Sequence, residues 1–278
     1  MRVTAESKLC IIIGDPVAHS LSPLIHNAAF LACGLDSKFA FMAARVREDD
    51  LKAAIFGLRA LGARGVSCTQ PHKVAVMQFL DEIDHAARQV GAVNTVVNQD
   101  GRLCGYNTDT LGVVGPLKKR TTLRGKKVGL IGAGGAARAA LFGLKQEGAE
   151  VTVFNRSKER GKELADAAGC DFCPLSEFGA GLGFEILVNT TSLGMYPHPD
   201  ETPLAAEQIQ AGQIVFDAVY APYQTKLLSI ARSRGAEVVH GTEMFIAQGA
   251  AQFELYTGMS APLSAMEQAL HLHLGIKP

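Results

Sequence analysis

Residues 126–138, Lys-Lys-Val-Gly-Leu-Ile-Gly-Ala-Gly-Gly-Ala-Ala-Arg, limit what this chain can fold into more than any other stretch. Val128 to Ile131 is an apolar run about the length of a buried parallel strand. Gly132, Gly134 and Ala137 then fall on the spacing G-x-G-x-x-G/A. An apolar helical pattern (Ala139, Leu141, Phe142, Leu144) follows and stops at Gly148. Gly132 permits a tight turn, Gly134 lets a pyrophosphate approach the backbone, and the small Ala137 lets helix and strand pack closely. The unsatisfied N–H groups of the helix N-terminus then face the phosphates. A second strand at 150–154 completes the strand–turn–helix–strand context in which this spacing reads as a dinucleotide site and not merely a glycine-rich turn.

The end of that second strand separates the two nicotinamide dinucleotides. NAD-binding units place Asp or Glu there to bond the ribose 2′-hydroxyl. This chain has Asn155-Arg156-Ser157-Lys158 and no acid. An arginine at this point suits a 2′-phosphate, which it can grip bidentately, so NADP is the expected cofactor.

At 278 residues the chain is long enough for two domains with substantial cores. Its formal charge is zero, which gives nucleic acid or an anionic membrane surface no electrostatic hold. No apolar run approaches the roughly 20 residues of a membrane span, and the N-terminus lacks a signal-peptide layout, so a soluble cytoplasmic protein is expected. Six scattered cysteines fit a reducing compartment better than a disulfide framework. Cys170-Asp-Phe-Cys173 has no second pair, and His271-Leu-His273 reads as part of the last helix, so no metal is expected.

In chain order, 9–13 reads as a strand closed by Gly14-Asp15-Pro16. Ser22 before Pro23 reads as a helix N-cap, with Leu24, Ile25, Ala28, Ala29 and Leu31 turned inward; Ser20, ahead of the cap, is left to meet a ligand. Strands are expected at 38–43 and 64–68, with a helix at 49–61 between them. Pro71 opens another helix whose first turn holds Lys73, set against the helix dipole. Strands at 92–97 and 103–106 flank a hairpin turn at Asn98-Gln-Asp-Gly101. Asn107-Thr108-Asp109 can cap a helix over 110–117. Beyond Ser157, strands at 185–189, 213–217 and 236–240 alternate with helices, which predicts a doubly wound parallel sheet. Ligands bind at the C-terminal ends of such strands, so the loops 189–195 (with Thr190, Thr191 and Ser192) and 218–222 (with Val219) are cofactor candidates. Two helices, 244–257 and 262–274, close the chain, and Gln248 is polar on an otherwise apolar face.

Together these pieces resemble one family, the shikimate dehydrogenases, over essentially the whole chain. The motifs are Ala18-His19-Ser20-x-Ser22-Pro23, Thr69-x-Pro71-x-Lys73, Gly91-Ala92-Val93-Asn94-Thr95, Asn107-Thr108-Asp109, Gly132-Ala-Gly-Gly135-Ala and Asn155-Arg156-Ser157. Three more follow: Asn189-x-Thr191-Ser192-x-Gly194-Met195, Asp217-x-x-Tyr220-x-Pro222-x-x-Thr225 and Met244-x-x-x-Gln248. The resemblance implies an α/β protein with an N-terminal substrate domain (1–107, completed by 241–278) and a doubly wound Rossmann NADP-binding domain (108–240), with a cleft between them. It implies reversible hydride transfer between NADP and shikimate in aromatic amino acid biosynthesis, by a monomer or homodimer that takes a small molecule and neither nucleic acid nor membrane.

The same resemblance makes Lys73 and Asp109 the catalytic pair. It gives Ser20 and Ser22 the substrate carboxylate, with Tyr220 nearby, and Thr69, Asn94, Asp109 and Gln248 the ring hydroxyls; Ser67 is expected among the substrate-binding residues as well. NADP falls to Gly132, Ala133, Gly134, Gly135, Ala136, Asn155, Arg156, Ser157, Thr190, Thr191, Ser192, Val219 and Gly241. The chain departs from the family at two points: Ser67 stands where Asn is usual, and Thr110 where Gly is usual. Both are expected close to the substrate and bear on its identity, with quinate the alternative ring. A second alternative is an NADP-binding regulatory protein without chemistry, against which Lys73 and Asp109 argue.

Overall fold

The computed structural model describes residues 3–179 and 182–276. Contacts divide the chain into two compact units, residues 1–108 with 248–278 and residues 109–247. The first unit runs β1 (Lys8–Gly14), α1 (Ser22–Ala32), β2 (Phe39–Arg45), α2 (Leu51–Ala60), β3 (Gly65–Cys68), α3 (His72–Ala75), β4 (Glu82–Ile83), α4 (His85–Val90), β5 (Thr95–Gln99) and β6 (Arg102–Tyr106). The second runs α5 (Asp109–Lys118), β7 (Lys127–Ile131), α6 (Gly135–Gln146), β8 (Glu150–Asn155), α7 (Lys158–Ala168), β9 (Asp171–Pro174), β10 (Ile186–Asn189), β11 (Ile214–Asp217), α8 (Lys226–Ser233) and β12 (Glu237–Val239). Helix α9 (Gly241–Thr257) straddles the division, and α10 (Leu263–Leu274) belongs to the first unit.

The second unit's sheet has the order β12-β11-β10-β7-β8-β9 with every pairing parallel. This is the doubly wound arrangement expected of alternating strands and helices, with the strand order reversing about β7. Its strands are apolar on both faces because helices cover both. Val128, Leu130, Val188 and Phe216 pack with α5 and α6, while Ile131, Leu187 and Val215 pack with α8. The first unit's sheet, β2-β1-β3-β5-β6-β4, is mixed, because the hairpin β5–β6 enters antiparallel to β3. One face carries Ile11, Ile13 and Val66 against Leu51 and Ile55 of α2. Elsewhere in this unit an aromatic group gathers Phe30, Phe39, Phe41, Phe253, Tyr256 and the ring of His26.

Four expectations need correcting. Ser22 makes no side-chain cap; it is the first residue of α1, behind Leu21, and is buried. Leu31 points to solvent, 61% exposed, because the buried stripe of α1 runs through Ile25, His26, Ala29 and Phe30. Asp109 does not precede its helix but begins it, so its carboxylate stands in the first turn, where the dipole favours an anion. Residues 171–174, read only as part of a Cys-x-x-Cys spacing, form the edge strand β9 beside β8. All six cysteines are thiols. No helix among the described residues is long and apolar enough to cross a membrane.

Candidate active site

In the second unit the glycine-rich turn is built as its spacing requires. Gly132 follows β7 at φ +119°, a region that side chains disfavour, and a Cβ there would lie 2.5 Å from the Thr190 hydroxyl. Thr190 donates to the Ile131 carbonyl at 2.8 Å, so it locks the turn from the neighbouring strand. Gly134 is the exposed N-cap of α6, whose first turn carries no acid, and Ala137 is fully buried against the core. Ala133 and Ala136 pack partly against the same core. Gly135 therefore opens a helix whose N–H groups meet no competing carboxylate within its own first turn.

At the end of β8, Asn155 donates to the Ser157 carbonyl at 2.8 Å, and the Ser157 hydroxyl caps α7 by accepting from the Arg160 amide. That hydroxyl also donates to Glu159 at 3.0 Å. Between them Arg156 is exposed.

The loops after β10 and β11 are tied together by one buried carboxyl. Asp217 Oδ1 accepts from Asn189 Nδ2 at 2.9 Å and from the Val219 amide at 3.1 Å, while Oδ2 accepts from the Thr225 hydroxyl at 2.6 Å. Asn189 in turn accepts from both the amide and the hydroxyl of Thr191. Thr225 passes the order on by capping α8. Burial pushes Asp217 up to about 6, and these three hydrogen bonds hold it from rising further. Gly241 is required where it stands, since a Cβ would strike the Val219 carbonyl. Tyr220 stacks on Phe245 with ring centroids 4.7 Å apart. Ser192 lies on the same loop as Thr191 and is exposed.

In the first unit the hydroxyls of Ser20 and Ser22 lie 3.3 Å apart, and the Ser22 amide donates to Ser20 Oγ. Thr69, beyond β3, is tethered by its amide to the Ile13 carbonyl, and its methyl fills the space over Gly14. Lys73 sits half-buried in the short helix α3, its carbonyl accepting from the Val93 amide at 2.7 Å. Asn94 is buried, its Oδ1 accepting from the Thr108 amide and the Thr95 hydroxyl, both at 2.8 Å. Asn107 donates to the Ala92 carbonyl at 2.9 Å. Gln248 is half-buried on α9.

Thr110 does not extend outward from Asp109. Its methyl packs over Gly143 of α6, where a Cβ would come within 2.6 Å of it, so a glycine on one helix accommodates the branched residue on the other. The missing side chain at 143 offsets the added one at 110.

Composition and motif reading missed Gln252, Tyr256 and His26. The signal was present, since Gln248, Gln252 and Tyr256 recur every four residues and so share one stripe of α9. Asp217 and Thr225 were visible in a motif but carried no role.

Both units match known families. The model described as the shikimate dehydrogenase substrate binding domain matches residues 12–96, the shikimate / quinate 5-dehydrogenase model residues 117–194, and the shikimate 5'-dehydrogenase C-terminal domain residues 241–271. The shikimate dehydrogenase (NADP(+)) of Moorella thermoacetica is 44% identical, over 99% of this chain and 96% of its own. The chain belongs to the shikimate dehydrogenase family. Among solved structures, a shikimate dehydrogenase in complex with NADP+ superposes at a TM-score of 0.93 and 36% identity, covering 98% of this chain and 97% of its own. The Thermus thermophilus enzyme in complex with NADP(H) and shikimate gives 0.88 at 36% identity, over 95% and 99%. A family relative with a different ring substrate, the quinate dehydrogenase of Corynebacterium glutamicum in complex with NAD, gives 0.86 at 30%, over 95% and 98%.

Proposed function

We propose that this chain is an NADP-dependent shikimate dehydrogenase, interconverting shikimate and 3-dehydroshikimate. The end-to-end likeness to enzymes solved with NADP(H) and shikimate carries the reading, because it runs through both units. NADP fits what the second unit offers: a turn that only glycine can make at 132, an acid-free helix N-terminus, and an exposed Arg156 where an NAD site would hold a carboxylate. Gly132 to Ala136 would hold the pyrophosphate, Asn155, Arg156 and Ser157 the 2′-phosphate side, and Thr190, Thr191, Ser192, Val219 and Gly241 the nicotinamide side. Bound there, NADP supplies the hydride acceptor.

In this reading Lys73 takes the hydroxyl proton as the alcohol is oxidised and returns it to the oxyanion in reverse. The second member of the pair is Asp109, in the first turn of α5. Ser20 and Ser22, already paired, receive the substrate carboxylate with Tyr220, while Thr69, Asn94 and Gln248 meet the ring hydroxyls. A site built of such groups rejects analogues that leave them unpaired. The N-terminal unit with the C-terminal helices is thus the substrate domain and the remainder the cofactor domain. As a whole the protein acts as a monomer or homodimer in a reducing cytoplasm that suits its six thiols, which light scattering and fractionation check.

Steady-state oxidation of shikimate and of quinate, each with NADP and with NAD, tests the reading. Strong turnover of shikimate with NADP is expected, with quinate and NAD both poor. Turnover of quinate in preference to shikimate would overturn the substrate. Shikimate is favoured over quinate because the Thr110 departure is absorbed by packing against Gly143.

A further inference from the structure

The stripe on α9 continues beyond Gln248 into the interior of the first unit and ends in a closed set of hydrogen bonds. Tyr256 Oη lies 2.9 Å from Ser67 Oγ, and Ser67 Oγ donates to Gln252 Oε1 at 3.1 Å. His26 Nε2 lies 3.3 Å from the same Oε1. An oxygen met by two donors leaves the Gln252 amide nitrogen facing the other way, where it donates to Thr95 Oγ1 at 3.0 Å and to the Asn94 carbonyl at 3.4 Å. Thr95 Oγ1, having received that proton, gives its own to Asn94 Oδ1 at 2.8 Å. The Thr108 amide meets the same Oδ1, and Asn94 Nδ2 donates to Thr108 Oγ1 at 2.9 Å. The donors therefore run one way, from Tyr256, Ser67 and His26 through Gln252 and Thr95 to Asn94.

None of Ser67, Asn94, Thr95, Gln252, Tyr256 and His26 is more than 2% exposed. Water cannot replace a broken link there, so each orientation is held by the next. The far end is anchored too. Tyr256 lies flat against Gly65 of β3, where any Cβ would collide with its ring, and Arg64 donates to the Tyr256 carbonyl at 2.9 Å. The serine at 67, where the family usually carries asparagine, faces α9 and keys the network.

We propose that Gln252 is a positioning residue for the substrate: acting through Thr95, and itself set by Ser67 and Tyr256, it joins the Thr108 amide in fixing which way the Asn94 amide faces. An asparagine presents a donor or an acceptor to a ring hydroxyl according to that choice. The proposal rests on Asn94 being a substrate ligand, and Ser67 then serves the substrate indirectly.

Kinetics of Thr95→Val, Thr95→Ser, Gln252→Met and Asn94→Ala, with KM resolved for shikimate and NADP separately, test it. Thr95→Val and Gln252→Met should raise the shikimate KM about tenfold while the NADP KM stays within about twofold, the size of one uncompensated buried hydrogen bond. Thr95→Ser, which keeps the hydroxyl, should restore the shikimate KM. If Gln252→Met fails to fold, the Thr95 pair decides alone. An unchanged shikimate KM in folded Thr95→Val, beside a raised one in Asn94→Ala, overturns the positioning role and leaves the substrate reading intact. No effect of Asn94→Ala overturns both. Equal rises in both KM values would mean general loosening and also overturn the proposal.

Discussion

The two units meet the same problem, holding loops still at the ends of strands, with opposite chemistry. In the first unit the interior polar set around Gln252 is made of hydroxyls, amides and an imidazole that burial holds down to about 4, so it is neutral. In the second unit the loops after β10 and β11 converge on a carboxyl, Asp217, that burial pushes up to about 6. Neutral networks hold geometry without a charge to desolvate, whereas a carboxyl accepts several donors at once but is costly to bury ionised. One chain thus carries two interiors with opposite responses to acid.

The largest expected effect separates the chemistry of the first unit from the binding of the second. Lys73→Ala should lower kcat by ~10²–10⁴-fold, the usual worth of a general acid–base group, with NADPH affinity by fluorescence titration nearly unchanged. Equal turnover in the variant would sink the catalytic assignment.

The pH response comes next. His26 has a folded pKa below its ordinary value, so the unfolded chain binds the extra proton between about 6.5 and about 4, and the first unit loses stability as pH falls through that window. Asp217 has a folded pKa raised from 3.8 to about 6, so the folded chain binds the extra proton there, and the second unit loses stability as pH rises through that window. Each effect is about 3 kcal/mol by pKa difference. Hydrogen exchange from pH 7 to pH 4.5 should show protection falling in β3 and β5 while that in β10 and β11 changes least or rises. His26→Gln should flatten the first slope and Asp217→Asn the second. Parallel slopes in both units would break the comparison.

Arg156→Ala should raise the NADP KM by ~10–100-fold, the range of a charge-assisted hydrogen bond, and leave the NAD KM almost where it was. An unchanged NADP/NAD preference would remove Arg156 from the 2′-phosphate. The smallest effect is expected at Thr110→Gly, whose methyl packs on Gly143 and whose hydroxyl donates to the Ala139 carbonyl at 3.5 Å: kcat/KM should stay within about threefold, since contacts to α6 change stability more than rate. A tenfold change would return Thr110 to the substrate. Its counterpart, Gly143→Ala, overpacks the same contact and should cost about 1–3 kcal/mol in chemical denaturation.

Sequence alone determined what depends on neighbours in the chain. The strand–turn–helix at Gly132, Gly134 and Ala137 was legible because the spacing of small residues answers constraints of the turn and first helical turn, and the parallel second sheet followed from strands alternating with helices. Ser22 was misread because a serine before a proline signals a cap only statistically, while the observed start of α1 falls on the serine itself. Tertiary structure alone decided that Thr110 is answered by Gly143 and that Ser67 is answered by Gln252 and Tyr256. The Ser67–Gln252 bond joins residues 185 apart, and no local period or propensity records which distant partner will satisfy a buried hydroxyl. Asp217 is the intermediate case: its motif could be read in the chain, but its raised affinity for a proton exists only once folding has taken its carboxyl out of water.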